Sequence, residues 1–441
     1  MTDERPSNEP PQAETRQQAQ LRLLRARFGD RISAGPPPPP AADAPDAPDA
    51  PDVRAFATTV NEPAPDVSYL YETGRVLVRD EYLDMARGFL GDDATPDPDA
   101  RQLDGVTVLQ VGDVEEALRV IDRNIGRGVA SRNHLVHIAG VIGFCPATEP
   151  VPVPDGTAPL PVVETDAEAG RGVRVVVADT GLDLSAAGRS SWLAGVTGEP
   201  DPGIPDQGSQ EPLAEYAGHG TFIAGVVRCL APAAEVHVRA TFEIGGAALE
   251  TQLVDGLIDI LDNDNPDIIS LSAGTWTHMA GDLLSLQTFG RRRLRLHKGV
   301  LLVAAAGNDN DRSPFWPAAA PYAVSVGSLD SALTGKAWFS NFGGWVDVYT
   351  AGDELVNAFP VGRYTGQEEG NLGVEYDFTG MARWSGTSFS TPLFAGLVAA
   401  RMSKTGENGV DAAAQLLKLA RKQAIPGLGA TLRPGDAILK I

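Results

Sequence analysis

Cysteine is nearly missing from this sequence: 441 residues contain two, Cys145 and Cys229. Neither stands in a Cys-x-x-Cys pair or near a histidine at metal-ligand spacing, which excludes a zinc ribbon or a disulfide-stapled scaffold. Both read as free thiols of a reducing compartment, with one bridge from the front of the chain to the back as the alternative. Positive charge is also scarce. With 36 basic residues against 58 acidic ones the net charge is -22, a sign that repels phosphate backbones and anionic lipid. Neither nucleic acid nor a membrane is therefore an expected partner. No apolar run reaches the roughly 18 residues that mark a transmembrane helix. The polar start, Met1-Thr-Asp-Glu-Arg-Pro, lacks the apolar core of a secretory signal. The expected location is cytoplasmic, with leaderless export left open. What is present is an ordinary globular composition, 43% hydrophobic and 21% charged, long enough for two or three folded units and their linkers.

Residues 1–66 offer little that could bury a core. Positions 36–40 are all proline and 43–52 repeat Asp-Ala-Pro, which reads as a disordered tail. Inside it Leu21, Leu23, Leu24 and Phe28 lie among Arg22, Arg25 and Arg27, a pattern for a short amphipathic helix, either docked on a protein partner or transient. Residues 67–147 read as a small α+β module. The pattern predicts strands at 75–78, 105–111 and 133–141, a helix at 80–90, and a second helix with Val114, Ala117, Leu118, Ile121 and Ile125 on one face. Residues 148–169 read as a proline-rich linker, exposed and cleavable or flexible. From 170 to 441, buried-strand patterns at 174–178, 235–240, 268–272, 300–306 and 323–327 alternate with helical ones. That alternation predicts an α/β domain of three layers, αβα, with a mostly parallel central sheet.

Three segments of that domain carry reactive side chains. In Val175-Val-Val-Ala-Asp179-Thr180-Gly181 an apolar strand ends in a carboxylate at a glycine turn, where open α/β sheets place functional groups. The same aspartate would serve as an ordinary cap. In Gly218-His219-Gly220-Thr221-Phe222-Ile223-Ala224-Gly225 a histidine between glycines precedes a small-residue helix, and glycines let backbone pass close to the ring. The other five histidines, His134, His137, His237, His278 and His297, lie in patterns that solvation or core filling explains. In Ser385-Gly386-Thr387-Ser388-Phe389-Ser390-Thr391-Pro392 a serine opens an apolar helix, where outward amides and the helix dipole stabilise a neighbouring anion. Alone it would read as an N-cap. Together the three residues supply an orienting carboxylate, a base and a nucleophile.

The combination, in the chain order Asp, His, Ser, resembles the subtilisin-like (subtilase) family of serine proteases over about residues 170–400. The resemblance implies a serine endopeptidase acting through Asp179, His219 and Ser388 and an acyl-enzyme intermediate, with no cofactor required. It assigns Asn308, after Val303-Ala304-Ala305-Ala306-Gly307, and the backbone N–H of Ser388 to the oxyanion hole. There one amide donor is worth about 3–4 kcal/mol of barrier. It implies that Ser272, Ala273 and Gly274 pair with an extended polypeptide substrate as an added strand. Ala305, Ala306 and Gly307 would form the opposite wall of the main pocket, and Phe315 its floor, favouring small side chains before the cut. One departure stands out. Many members carry a second histidine three places after the first, where this chain has Phe222, and the expected effect falls on packing.

The front module resembles the propeptide of that family, which makes it an intramolecular inhibitor of a zymogen cut between 145 and 166. The rival is a permanent regulatory domain. A dedicated intracellular processing protease controlled by its N-terminal region is a further reading, as is a peptide-binding pseudoprotease; intact Asp179, His219, Ser388 and Asn308 speak against the latter. Calcium often stabilises the family. Asp262, Asp264 and Asp267, or Asp309 and Asp311, offer hard oxygen ligands, yet neither set follows a calcium-loop rule and no metal site is assigned.

Overall fold

The computed structural model describes residues 16–35, 69–92, 94–101, 103–138, 147–154, 156–206, 208–242, 245–277, 281–368 and 371–435. The polyproline run, the Asp-Ala-Pro repeats, Cys145, His278 and the end of the strand expected at 133–141 lie outside them.

The front of the chain folds as α1 (Arg16–Phe28), β1 (Ile32–Gly35), β2 (Tyr69–Arg79), α2 (Leu83–Leu90), β3 (Thr95–Pro96), β4 (Val106–Gln110), α3 (Val114–Asn124) and β5 (Ala130–His137). The amphipathic pattern in α3 buries Val114, Ala117, Leu118 and Ile121 against the sheet, and Asp113 caps it by accepting from the Glu116 N–H at 2.9 Å. The first strand and helix correct the sequence reading. Residues 16–35, assigned to a coreless tail, are helix and strand: β1 pairs antiparallel with β2, and Leu24 and Phe28 are buried with Leu70, Leu135, Ala247 and Leu249. The apolar face expected to meet a separate partner is spent inside the chain.

A short β6 (Val151–Pro152) leads into the larger domain. There follow β7 (Arg174–Asp179), β8 (Thr197–Gly198), α4 (His219–Leu230), β9 (Glu235–Ala240), β10 (Ala247–Leu249), α5 (Glu250–Asn263), β11 (Ile268–Leu271), α6 (Leu284–Arg292), β12 (Leu301–Ala305), β13 (Val324–Leu329), β14 (Val348–Ala351), β15 (Leu355–Thr365), β16 (Glu375–Trp384), α7 (Thr387–Thr405) and α8 (Gly409–Lys422). The central sheet has the order β14-β13-β12-β11-β7-β9-β8 and every pairing in it is parallel. Its middle strands read as apolar runs because both faces are covered: Val175, Val176 and Val177 are fully buried, each worth about 1.5–3 kcal/mol. Helix α4 packs on α7 and α7 on α8, while α5 packs on α6, the two groups covering the sheet as outer layers.

Two features were not expected. The linker is not loose: β6 pairs with β16, Leu160 bridges Val356, and the Glu164 N–H donates to the Cys229 carbonyl at 2.7 Å. Pro152 sits on a sheet edge, where a missing N–H costs little. The module's sheet, in turn, does not end in the module. Its order is β10-β5-β2-β4-β3, with β1 also on β2, so a strand of the larger domain completes it.

Candidate active site

Asp179 is the last residue of β7 and His219 the first of α4, and neither is exposed. Gly218, at φ 81°, takes the left-handed turn into the helix, and a Cβ on Gly220 would collide with the Gly181 carbonyl. The two glycines thus let the histidine reach the strand end, where its Nδ1 lies 2.7 Å from Asp179 Oδ1. Around the ring, Trp384 packs edge-on at 5.4 Å and Phe389 at 5.5 Å. Phe222 lies against Phe389 at 4.4 Å and edge-on to Trp384 at 5.8 Å, so the residue in place of a second histidine belongs to the aromatic wall behind the first.

Ser388 is the second residue of α7 and is fully buried. Pro392 lacks the N–H that would bond the Ser388 carbonyl four residues earlier. That carbonyl instead accepts from Ser272 Oγ at 2.8 Å, which ties the serine turn to the 272–274 wall. Among the described residues, Ser388 Oγ and His219 Nε2 have no hydrogen-bond partner. Asn308 follows β12, and its Oδ1 accepts from Thr387 N and Oγ1 at 2.8 and 3.0 Å. That fixes the amide and leaves its NH2 group to donate beside the serine turn. The Gly307 N–H also donates to Thr387 Oγ1, at 3.1 Å.

Ala305 and Ala306 are buried on one side of the site, Ser272 and Ala273 on the other. The ring of Phe315 lies against both Gly274 and Gly307 and packs edge-on to Trp276 at 5.6 Å. It therefore spans the gap between the two walls.

Sequence reasoning missed three parts of this site. Asp201, 5% exposed, accepts from Gly203 N, from Thr180 Oγ1 and from Gly218 N, at 2.8, 3.0 and 2.8 Å. It bonds beside both Asp179 and His219, and burial pushes its carboxyl up to about 6. Its sequence, Glu199-Pro-Asp-Pro, reads only as a turn. Trp384 was adjacent to the serine motif and readable there. The third is β5: His137 exchanges main-chain hydrogen bonds with Gly274 at 3.2 and 3.0 Å, the Ile138 N–H donates to the Gly246 carbonyl at 2.9 Å, and β5 pairs with β10. The module's last strand thus lies in the groove that the sequence reading reserved for a peptide. His137 is deeply buried there, which lowers it to about 3 and keeps it neutral.

Beside the groove, His134 Nδ1 lies 3.4 Å from Glu250 Oε2, whose other oxygen accepts from Ser285 N and Oγ at 2.6 Å. Asn133 bonds Thr251 through both ends of its amide. Both histidines of β5, which core filling was expected to explain, therefore meet the larger domain. Cys229 is a buried free thiol, raised to about 12 by burial. The calcium candidates at 262–267 do not suit a metal: Asp262 pairs with Arg293, Asp264 with Arg239, and Asp267 accepts from Arg174 N. Among the described residues no group of three or more His, Cys, Asp or Glu could hold one, and no helix is long and apolar enough to cross a membrane.

The model of the subtilase family matches residues 170–427. The chain is 29% identical over 245 residues to subtilisin-like protease 2 of Pseudogymnoascus destructans, covering 53% of this chain and 52% of that one. It is 26% identical over 361 residues to the thermophilic serine proteinase of Bacillus sp. (strain AK1), covering 78% and 80%. Against the first two curated relatives it matches, the alignment spans between half and two thirds of their length. Fervidolysin from Fervidobacterium pennivorans, a keratinolytic enzyme related to subtilisin, shares the fold at a TM-score of 0.56 and 18% identity, over 86% of this chain and 62% of that one.

Proposed function

The chain belongs to the subtilase family, and from that premise we propose that it is a serine endopeptidase whose front module occupies its own substrate groove. The observation that carries the reading is the buried Nδ1–Oδ1 contact of His219 and Asp179 at 2.7 Å, beside a serine turn braced by Asn308. Ser388 Oγ attacks the peptide carbonyl while His219 Nε2 takes its proton. Asp179 holds the imidazole with Nε2 free to act and stabilises the charged ring. The oxygen that gains charge is met by the Ser388 N–H and the Asn308 NH2. His219 then passes the proton to the leaving amine, and water, activated by the same ring, releases the acyl group.

An extended peptide suits this groove because β5 already shows the pairing, one edge on 246–249 and the other on Gly274. The Phe315 ring between the walls leaves a shallow pocket and favours small side chains before the cut. The module acts as an intramolecular inhibitor. If it is removed by self-cleavage, the cut falls between Ile138 and Ala147, at the front of the window 145–166, because Ala147 to Pro152, Leu160 and Glu164 are bonded into the larger domain. A processing protease with a permanent regulatory module uses the same contacts and leaves the chain intact.

The test is labelling of the full chain by a fluorophosphonate probe, compared with Ser388→Ala, followed by intact mass. Labelling lost in the variant supports the nucleophile, and a mass break between 138 and 147 supports the zymogen. A folded chain that stays unlabelled after the module has been displaced by mild denaturant would make it a peptide-binding relative without activity.

A further inference from the structure

A peptidase cleft has an acyl side and a leaving side. Here the acyl side lies between 246–249 and 272–274. Across His219, the next main-chain edge is the end of β16: Trp384, packed on the His219 ring, and Ser385, three residues before Ser388. This edge is already covered. The Ala147 N–H donates to the Ser385 carbonyl at 3.0 Å, the Ser385 N–H to Thr148 Oγ1 at 3.3 Å, and Trp384 Nε1–H to the Thr148 carbonyl at 2.6 Å. The pairing runs on antiparallel, Val151 opposite Arg383 and Pro152 opposite Ala382. Ala147 is buried with Ala337 and Phe339. Behind the segment, Glu149 is 2% exposed, and its Oε1 accepts from Tyr364 OH at 2.9 Å and from Gln367 N at 2.6 Å. Every one of these anchors belongs to the larger domain, so loss of the front module leaves them in place.

Resting on the reading of this site as a serine endopeptidase, we propose that residues 147–152 fill the leaving side of the cleft in the working enzyme, so that turnover falls as the leaving chain of a substrate lengthens beyond one or two residues. A longer leaving chain added to β16 needs the N–H and carbonyl of Ser385, both of which this segment uses. Displacing the segment strips the buried Glu149 carboxylate of two donors, which makes the displacement costly. The acyl side carries no such restriction once β5 is gone.

The experiment measures kcat/KM of the purified enzyme, its processing state fixed by intact mass, on peptides that share one acyl part. The leaving group is p-nitroaniline or a chain of one, two, four or eight residues. Expected is a fall of about tenfold or more between two and eight residues, equivalent to about 1.4 kcal/mol of barrier. Glu149→Ala, and the milder Tyr364→Phe should the first not fold, narrow that ratio by releasing the anchor. A flat or rising series overturns the proposal, as does an unchanged ratio in a folded variant. If the anilide is not hydrolysed either, the peptidase reading has failed and takes this inference with it; anilide turnover with a flat series sinks the inference alone.

Discussion

Asp201 offers the sharpest test of how the site is held. Its carboxylate joins the residue after Asp179 to the residue before His219, and Thr180 Oγ1 accepts in turn from the Gly220 N–H at 3.2 Å. The backbone on both sides of the histidine therefore hangs on one buried acid. In Asp201→Asn one acceptor oxygen becomes an NH2 group facing donors. At least one buried donor then loses its partner, at about 1–3 kcal/mol. Against this stands the charge. Burial raises Asp201 from 3.8 to about 6, a rise worth about 3 kcal/mol. For a carboxyl raised in the fold, the stabilising contribution is complete below pH 3.8 and is lost as pH climbs through about 6. The asparagine does not titrate. The variant should therefore gain stability relative to its parent, by up to about 3 kcal/mol, as pH rises from about 4 to about 8. The assay is paired denaturant unfolding in a Ser388→Ala background, which prevents self-digestion. A stability difference that stays constant over that range would refute the account of Asp201 as a charged buried anchor. In the active background kcat should fall about tenfold to a hundredfold with KM little changed, the signature of a misplaced base; a change confined to KM would contradict it.

The proposed oxyanion role of Asn308 separates from its structural one by two variants. Asn308→Ala should lower kcat by about a hundredfold to a thousandfold. Asn308→Asp keeps an acceptor for Thr387 but no N–H, and wild-type kcat in that variant would remove Asn308 from the chemistry. A chelator should leave the melting temperature unchanged, since Asp262 and Asp264 are paired with Arg293 and Arg239 and Asp267 accepts from the Arg174 main-chain N–H; a melting point that climbs with added calcium would contradict this.

Much of the larger domain was legible because central strands such as β7 and β11 are buried on both faces and read as apolar runs, so 174–178 and 268–272 fall within a residue of where they occur, as does the alternating 235–240. The site residues were legible for a different reason: each sits at a strand end or helix start whose glycines have no other use. What the sequence hid were contacts between distant segments. Nothing in Glu199-Pro-Asp-Pro tells a turn aspartate from a buried anchor, because its donors come from 180, 203 and 218. Strand β16, which alternates between exposed and buried residues, carries no apolar run. Helix α1 looked coreless because the apolar residues that cover it, such as Leu135 and Leu249, come from over a hundred positions away.

The strand β10 ties these observations to function. It has three residues, Ala247–Leu249, and its ladder partner among the described residues is β5 of the module. A strand this short buries too little to order itself, and an unpaired edge invites another chain. On the proposed reading, the acyl-side wall is complete and closed to substrate while β5 is in place. Once β5 leaves, the same main-chain groups lose their partners and a peptide restores them. Under the proposed reading, inhibition and substrate binding would be one equilibrium on one edge, and the affinity of the module would set how much substrate is needed to open the enzyme. The contacts of Asn133 and His134 with Thr251 and Glu250 give the module a hold that a substrate strand lacks, so under the same proposal a free peptide would compete poorly until the chain between Ile138 and Ala147 is cut or those polar contacts are broken.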